Sequence, residues 1–162
     1  MPNRDKLSLK DVAVEIKNPW TKKSEVVRLH TLILKCGSQS KGTLVFLHGF
    51  GGSCATYNAF LSELANHYDV FAFDMLGAGC SSKPSFDYVK MNAAQVLDLY
   101  VECIDSWIKA LELDNFHMVG HSLGAYFGTF YLHRHTDKKV LSFVSVAGAG
   151  MTEEPENFAL VS

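Results

Sequence analysis

The sequence predicts an α/β fold with a mostly parallel sheet covered by helices on both faces. Three observations carry that prediction. Four short and almost wholly apolar runs, 43–47, 69–73, 116–119 and 140–147, have the character of strands buried on both sides. Between them lie segments whose apolar residues recur every three or four positions, as in a helix packed by one face. Glycine-rich motifs follow three of the runs directly, where an open α/β sheet places its loops.

Taken in order, Val12 to Ile16 and Val26 to Leu34 read as two early antiparallel strands. Asn18-Pro19-Trp20 and Lys22-Lys23-Ser24 make the turn between them. Gly37 to Gly42 is a polar loop, and Thr43 to Leu47 is the first buried strand. Tyr57, Phe60, Leu61 and Leu64 share one face of a helix from about Ala55 to Asn66. Asp69 to Phe73 is the next strand. Leu97, Val101, Ile104, Ile108 and Leu111 then mark a longer amphipathic helix from about Asn92. Phe116 to Val119 is a strand, Ala125 to Arg134 a helix, and Val140 to Ala147 the last strand. Repeats, low-complexity tracts and linkers are absent.

The bulk numbers suit one soluble globular domain: 162 residues, 48% hydrophobic and 20% charged. A net charge of −2 with scattered basic residues gives no reason to expect nucleic acid. Lys22-Lys23 and Lys138-Lys139 read as solvated loop charges. No apolar run reaches the length of a membrane span, and residues 1–6 lack the layout of a secretory signal. Cys36, Cys54, Cys80 and Cys103 are too widely spaced for a metal or redox motif. Reduced thiols of a cytoplasmic protein are the expectation, with no metal and no cofactor.

Gly120-His121-Ser122-Leu123-Gly124 carries the most chemistry. It has the Gly-x-Ser-x-Gly spacing that sets a serine on a strained strand-to-helix turn with its hydroxyl exposed. A strand precedes it and a helix follows. Gly120 and Gly124, with Gly128 one turn on, thin the face on which helix and strand meet. The alternative is a glycine-rich turn of a nucleotide-binding fold. His48-Gly49-Phe50-Gly51-Gly52 follows the strand Thr43 to Leu47. In acyl transfer such a loop aims a backbone N–H at the developing oxyanion, and the residue after the nucleophile supplies a second. Phe50 and Leu123 are the expected donors. A phosphate loop is the competing reading. Cys54 stands where the third glycine of Gly-x-Gly-x-x-Gly belongs, and no Gly-Lys-Ser/Thr follows.

Asp74-Met75-Leu76-Gly77-Ala78-Gly79-Cys80-Ser81-Ser82 closes the next strand. These three motifs, in this order and each after a strand, resemble the α/β-hydrolase superfamily over roughly Thr43 to Gly150. Leu47 to Gly52 and Phe71 to Asp74 are similar to the lysophospholipase and acyl-ethanolamine phospholipid hydrolase branch. That branch includes the lipase co-activator with asparagine at the serine position; this chain has Ser122 there. Proline iminopeptidases and epoxide hydrolases share much of the pattern. Because the superfamily's epoxide hydrolases and haloalkane dehalogenases use aspartate as nucleophile, Ser122 implies ester, amide or thioester chemistry. The resemblance gives Asp74 a loop-shaping role, in line with the ordinary use of a carboxylate at a glycine-rich turn.

A serine hydroxyl needs a histidine to take its proton and a carboxylate to orient that histidine. The superfamily's order is Ser, then acid, then His. Glu153, Glu154 and Glu156 follow the last strand, where a minority of the family carries the acid; as a like-charged cluster they read as solvated loop residues. His133 and His135 lie about 17–20 Å along the helix from Ser122 at 1.5 Å per residue. His48 belongs to the oxyanion loop, His121 points away from the serine, and His30, His67 and His117 are surface or strand positions. No histidine sits where the base belongs.

Residues 1–162 therefore read as the N-terminal portion of a single domain, truncated after about the sixth strand. Two functions follow as expectations. One is a serine hydrolase acting on an ester or amide, a lipid acyl compound by preference. The other is a truncated, non-catalytic protein that binds a lipid or a partner. The terminal strand, left as a sheet edge, would invite self-association.

Overall fold

In the computed structural model the described residues are 7–18, 21–84, 90–136 and 140–150. The first two strands, β1 (Leu7–Lys17) and β2 (Ser24–Leu34), form a long antiparallel hairpin, registered from Leu7 opposite Leu34 to Lys17 opposite Ser24. β1 thus begins five residues earlier than its apolar alternation suggests. Leu7 and Leu9 lie on its exposed face, and pairing with β2 carries the strand that far.

The rest of the chain alternates strand and helix. β3 (Thr43–Leu47) leads through a 3₁₀ turn (Cys54–Tyr57) into α1 (Asn58–Leu64), then β4 (Asp69–Phe73). α2 (Ala93–Ala110), β5 (Phe116–His121), α3 (Leu123–Arg134) and β6 (Val140–Val146) follow. The strand order is β1-β2-β4-β3-β5-β6. β2 pairs antiparallel with β4, whereas β4, β3, β5 and β6 run parallel.

Strand alternation divides the core in two. Val12, Val14, Ile16, Leu29, Val45 and Phe73 face α2 and α3, where Trp107 and Tyr131 are fully buried. Leu32, Leu44, Phe46, Val70 and Ala72 face the 3₁₀ turn and α1. α2 starts on a capping box: Asn92 Oδ1 accepts from the Gln95 amide (2.9 Å) and Gln95 Oε1 from the Asn92 amide (3.0 Å). Its buried stripe, Leu97, Val101, Ile104 and Ile108, is widened by Leu99, Cys103 and Trp107. Trp107 Nε1 donates to Thr31 Oγ1 (2.9 Å), and its ring lies 4.6 Å from that of Phe73.

The expected helix over 55–66 is shorter and less amphipathic than its pattern. Its first turn is 3₁₀, so the spacing of three and four no longer sets one face inward. Leu61 alone of its four apolar positions is fully buried, and Phe60 is 46% exposed. β6 forms one rim of the sheet, with Leu141 57%, Val144 50% and Val146 42% exposed. Pro19, Trp20, Lys138, Lys139, Glu153, Glu154 and Glu156 lie outside the described residues.

Candidate functional site

β5 ends at His121 and α3 begins at Leu123, so Ser122 alone makes the turn between them. It does so at φ 51°, ψ −115°, a region that costs a side-chain-bearing residue on the order of 1–3 kcal/mol. The surroundings hold it there. The Ser122 amide donates to Val146 O (2.9 Å), and its carbonyl accepts from the amides of Ala125 (3.0 Å), Tyr126 (3.2 Å) and Ala149 (3.1 Å). The glycines serve close approach. A Cβ on Gly120 would stand 2.5 Å from Ala125 Cα, and one on Gly124 2.3 Å from Leu47 O. Backbone meets backbone at both places, so neither neighbour can swing aside. The Ser122 side chain caps nothing in α3.

The loop after β3 is fixed by His48, which is 2% exposed. Its Nε2 accepts from the Met75 amide (2.8 Å), and its Nδ1 lies 2.8 Å from Gly49 O. An amide can only donate, so the ring proton is on Nδ1 and goes to Gly49 O. Burial lowers the affinity of this imidazole for a second proton, outweighing the Gly49 carbonyl and Asp74, which act the other way. With both nitrogens engaged, His48 is unavailable as a base. Asp74, 3% exposed, accepts from the amides of Cys54 (2.7 Å) and Cys80 (2.9 Å), one on each carboxylate oxygen. Its use is structural: it ties the loop after β3 to the loop after β4. The ring of His121 turns toward Tyr57, whose hydroxyl lies 2.8 Å from Nδ1.

Between these loops opens a cleft of about 490 Å³. His48, Phe50, Met75, Leu76, Tyr100 and Leu123 are among its lining residues, and Ser122, partly buried, immediately precedes Leu123. The amides of Phe50 and Leu123 donate to no acceptor among the described residues, and the Phe50 ring is 90% exposed. Phe50 and Leu123 thus line one cleft, with Ser122 next to Leu123 in the chain. Among the described residues no base is brought to Ser122. His30 pairs with Asp11 (2.9 Å), His117 with Ser142 (2.8 Å), and His135 closes α3 at 3.7 Å from Asp105. No described histidine is hydrogen-bonded to the Ser122 hydroxyl.

Among the described residues no group of three or more His, Cys, Asp and Glu could hold a metal ion. No described helix is long and apolar enough to cross a membrane. None of the four cysteines forms a disulfide; Cys80 is exposed and the others are buried. Two participants were not legible in the sequence. Helical periodicity gives Tyr57 a place in the core, and it is the 3₁₀ turn that brings it to His121. Tyr100 sits beside the buried stripe of α2, and only the packing of α2 shows that it reaches the cleft.

The sequence pattern of the family described as the alpha/beta hydrolase fold matches residues 42–161. The 1-acylglycerol-3-phosphate O-acyltransferase ABHD5 of Rattus norvegicus is 35% identical over 144 residues, covering 85% of this chain. The chain spans 40% of that relative's length. Among solved structures, a membrane phospholipase A superposes with a TM-score of 0.69 at 25% identity, covering 93% of this chain and 43% of that one. A probable hydrolytic enzyme from Pseudomonas aeruginosa PAO1 gives 0.70 at 20% identity, covering 90% and 42%, a likeness of fold.

Proposed function

The chain belongs to the alpha/beta hydrolase family, and on that premise we propose that Ser122 is the nucleophile of acyl transfer from an ester or amide. The observation that carries this is the backbone of Ser122, held at positive φ on a strand-to-helix turn next to the Leu123 amide, which like that of Phe50 donates to no acceptor among the described residues. In this reading Ser122 Oγ bonds the acyl carbon and gives its proton to water, and the carbonyl π pair moves onto the oxygen held by the amides of Phe50 and Leu123. Collapse breaks the C–O or C–N bond to release the alcohol or amine, which takes up a proton, leaving an acyl-serine that water cleaves. The apolar part of the cleft, Phe50, Met75, Leu76 and Leu123, suits a lipid acyl group. The names of the acyltransferase relative and of the phospholipase neighbour favour the same substrate class. Residues 1–162 are read as the N-terminal portion of one such domain, in keeping with the share of the relative's length that they span.

The test is labelling by a fluorophosphonate at high probe concentration, with imidazole added to take the hydroxyl proton that no described histidine takes, read by intact mass. One adduct is expected, and Ser122→Ala abolishes it. An adduct that survives in the alanine variant overturns the assignment. A second reading, binding of a lipid or a partner without turnover, is favoured by the absence of a described histidine on the Ser122 hydroxyl. Ester hydrolysis separates the two. Without a base the chain stays near the roughly 10³–10⁴-fold acceleration over water that an oxyanion hole and binding supply alone. Turnover on the order of 1–10³ s⁻¹ would exclude the binding-only role.

A further inference from the structure

The loops after β3, β4 and β5 meet at the cleft, and side chains tie them unequally. The first two are joined by buried, repeated links: Asp74 holds the amides of Cys54 and Cys80, and His48 holds that of Met75. The loop after β3 is joined to the elbow by the Tyr57–His121 hydrogen bond, 2.8 Å long. Tyr57 closes the 3₁₀ turn whose first residue, Cys54, is fixed by Asp74. Its ring lies 4.9 Å from that of Phe46 and 5.5 Å from that of His121.

The pair also bears on the backbone that carries the Phe50 amide. A Cβ on Gly52 would stand 3.2 Å from Tyr57 Cε2. A Cβ on Gly49 would stand 2.8 Å from His121 Nδ1 and 3.1 Å from Ser122 Cβ. Gly52 therefore rests against Tyr57, and Gly49 against His121 and the Cβ of Ser122, so the two ends of the segment that carries the Phe50 amide are set by the pair.

We propose that Tyr57 and His121 are a positioning pair that sets the separation between the amide of Phe50 and that of Leu123. The chemical meaning of the inference rests on the oxyanion reading above; its geometry does not. Donors aimed at a developing charge act only when they are held in place, and a displacement of a fraction of an ångström weakens them. The bond matters in either sense of donation, because tyrosine and neutral imidazole can each give or take the proton.

The experiment compares the 162-residue chain with Tyr57→Phe, His121→Ala and His121→Asn. Asparagine keeps a hydrogen-bonding atom near the position of Nδ1. Assigned amide spectra and the rate of fluorophosphonate adduct formation are the two readouts. Tyr57→Phe and His121→Ala are expected to shift the amide resonances of Phe50, Gly51 and Leu123 and to slow the adduct about tenfold, less than loss of a whole oxyanion donor. His121→Asn is expected to recover most of both. Unmoved Phe50 and Leu123 resonances in Tyr57→Phe overturn the proposal. So does a His121→Asn variant as impaired as His121→Ala, since bulk rather than the bond would then be at work. If the wild-type chain gives no adduct, the nucleophile reading fails while the amide spectra still decide this one. If Tyr57→Phe does not fold, the two His121 variants give the same comparison.

Discussion

β1 and β6 are the two outer strands of one sheet, and their free rims differ in charge and in cover. β1 carries Lys10, Asp11, Glu15 and Lys17, and α2 reaches its backbone: Glu102 Oε1 accepts from the Lys17 amide (3.1 Å) and Ser106 Oγ donates to Glu15 O (3.2 Å). β6 reads Val-Leu-Ser-Phe-Val-Ser-Val and has no charge. Phe143 packs toward Gly128, but Leu141, Val144 and Val146 stay exposed. One rim is thus covered in part by side chains of a packed helix and carries charge, whereas the other, among the described residues, is apolar and uncovered. Edge protection here is local, set by what lies beside each strand rather than by the sheet as a whole.

The strongest way to break this contrast is to unseat α2. Trp107→Ala removes the largest fully buried side chain and its bond to Thr31. A loss of about 3–5 kcal/mol is expected, read by urea unfolding, with hydrogen exchange in β1 rising more than in β6. A loss below about 1 kcal/mol, outside that range, would mean that the hairpin alone secures the β1 rim. The contrast is sharpened at the other edge. The chain is expected to self-associate through β6, and Val144→Lys to reduce the association with little change in stability, whereas Leu9→Lys on β1 leaves association unchanged. Size-exclusion chromatography with light scattering measures all three. A wild-type monomer independent of concentration would show that the β6 rim is protected after all. The smallest effect belongs to the helix-to-edge link. Glu102→Ala should cost about 0.5–1.5 kcal/mol, measured by thermal unfolding, and no change would mean that water replaces it.

Much of the fold was legible because the buried strands announce themselves. β3 and β4 match their expected bounds, Thr43–Leu47 and Asp69–Phe73, since both faces are covered and every side chain after the first is buried. The close approach of strand and helix was legible for a related reason: Gly120 and Gly124 were expected to thin the face where β5 and α3 meet, and backbone meets backbone there. Asp74 was rightly given to structure. The start of β1 was hidden because Leu7 to Asp11 are exposed on a hairpin, where pairing and not burial extends the strand. α3 begins at Leu123, two residues ahead of its expected start, because the turn at Ser122 is made by one residue. The Tyr57–His121 contact joins residues 64 apart and depends on a 3₁₀ turn that no periodicity encodes.

His48 gives the molecule a limit on its acid side. Its ring is held neutral, with one nitrogen accepting from Met75 and the other donating to Gly49. Folded, it resists the proton that an exposed imidazole takes near 6.5. The unfolded chain therefore binds that proton first, and acidification draws the equilibrium toward unfolding. The contribution is complete above pH 6.5 and shrinks as the pH falls toward the lower folded value. Melting temperatures taken from neutral pH downward should decline more steeply in the wild type than in His48→Gln, which cannot titrate. The residue that shapes the loop beside the serine thus also adds to the acid sensitivity of the fold.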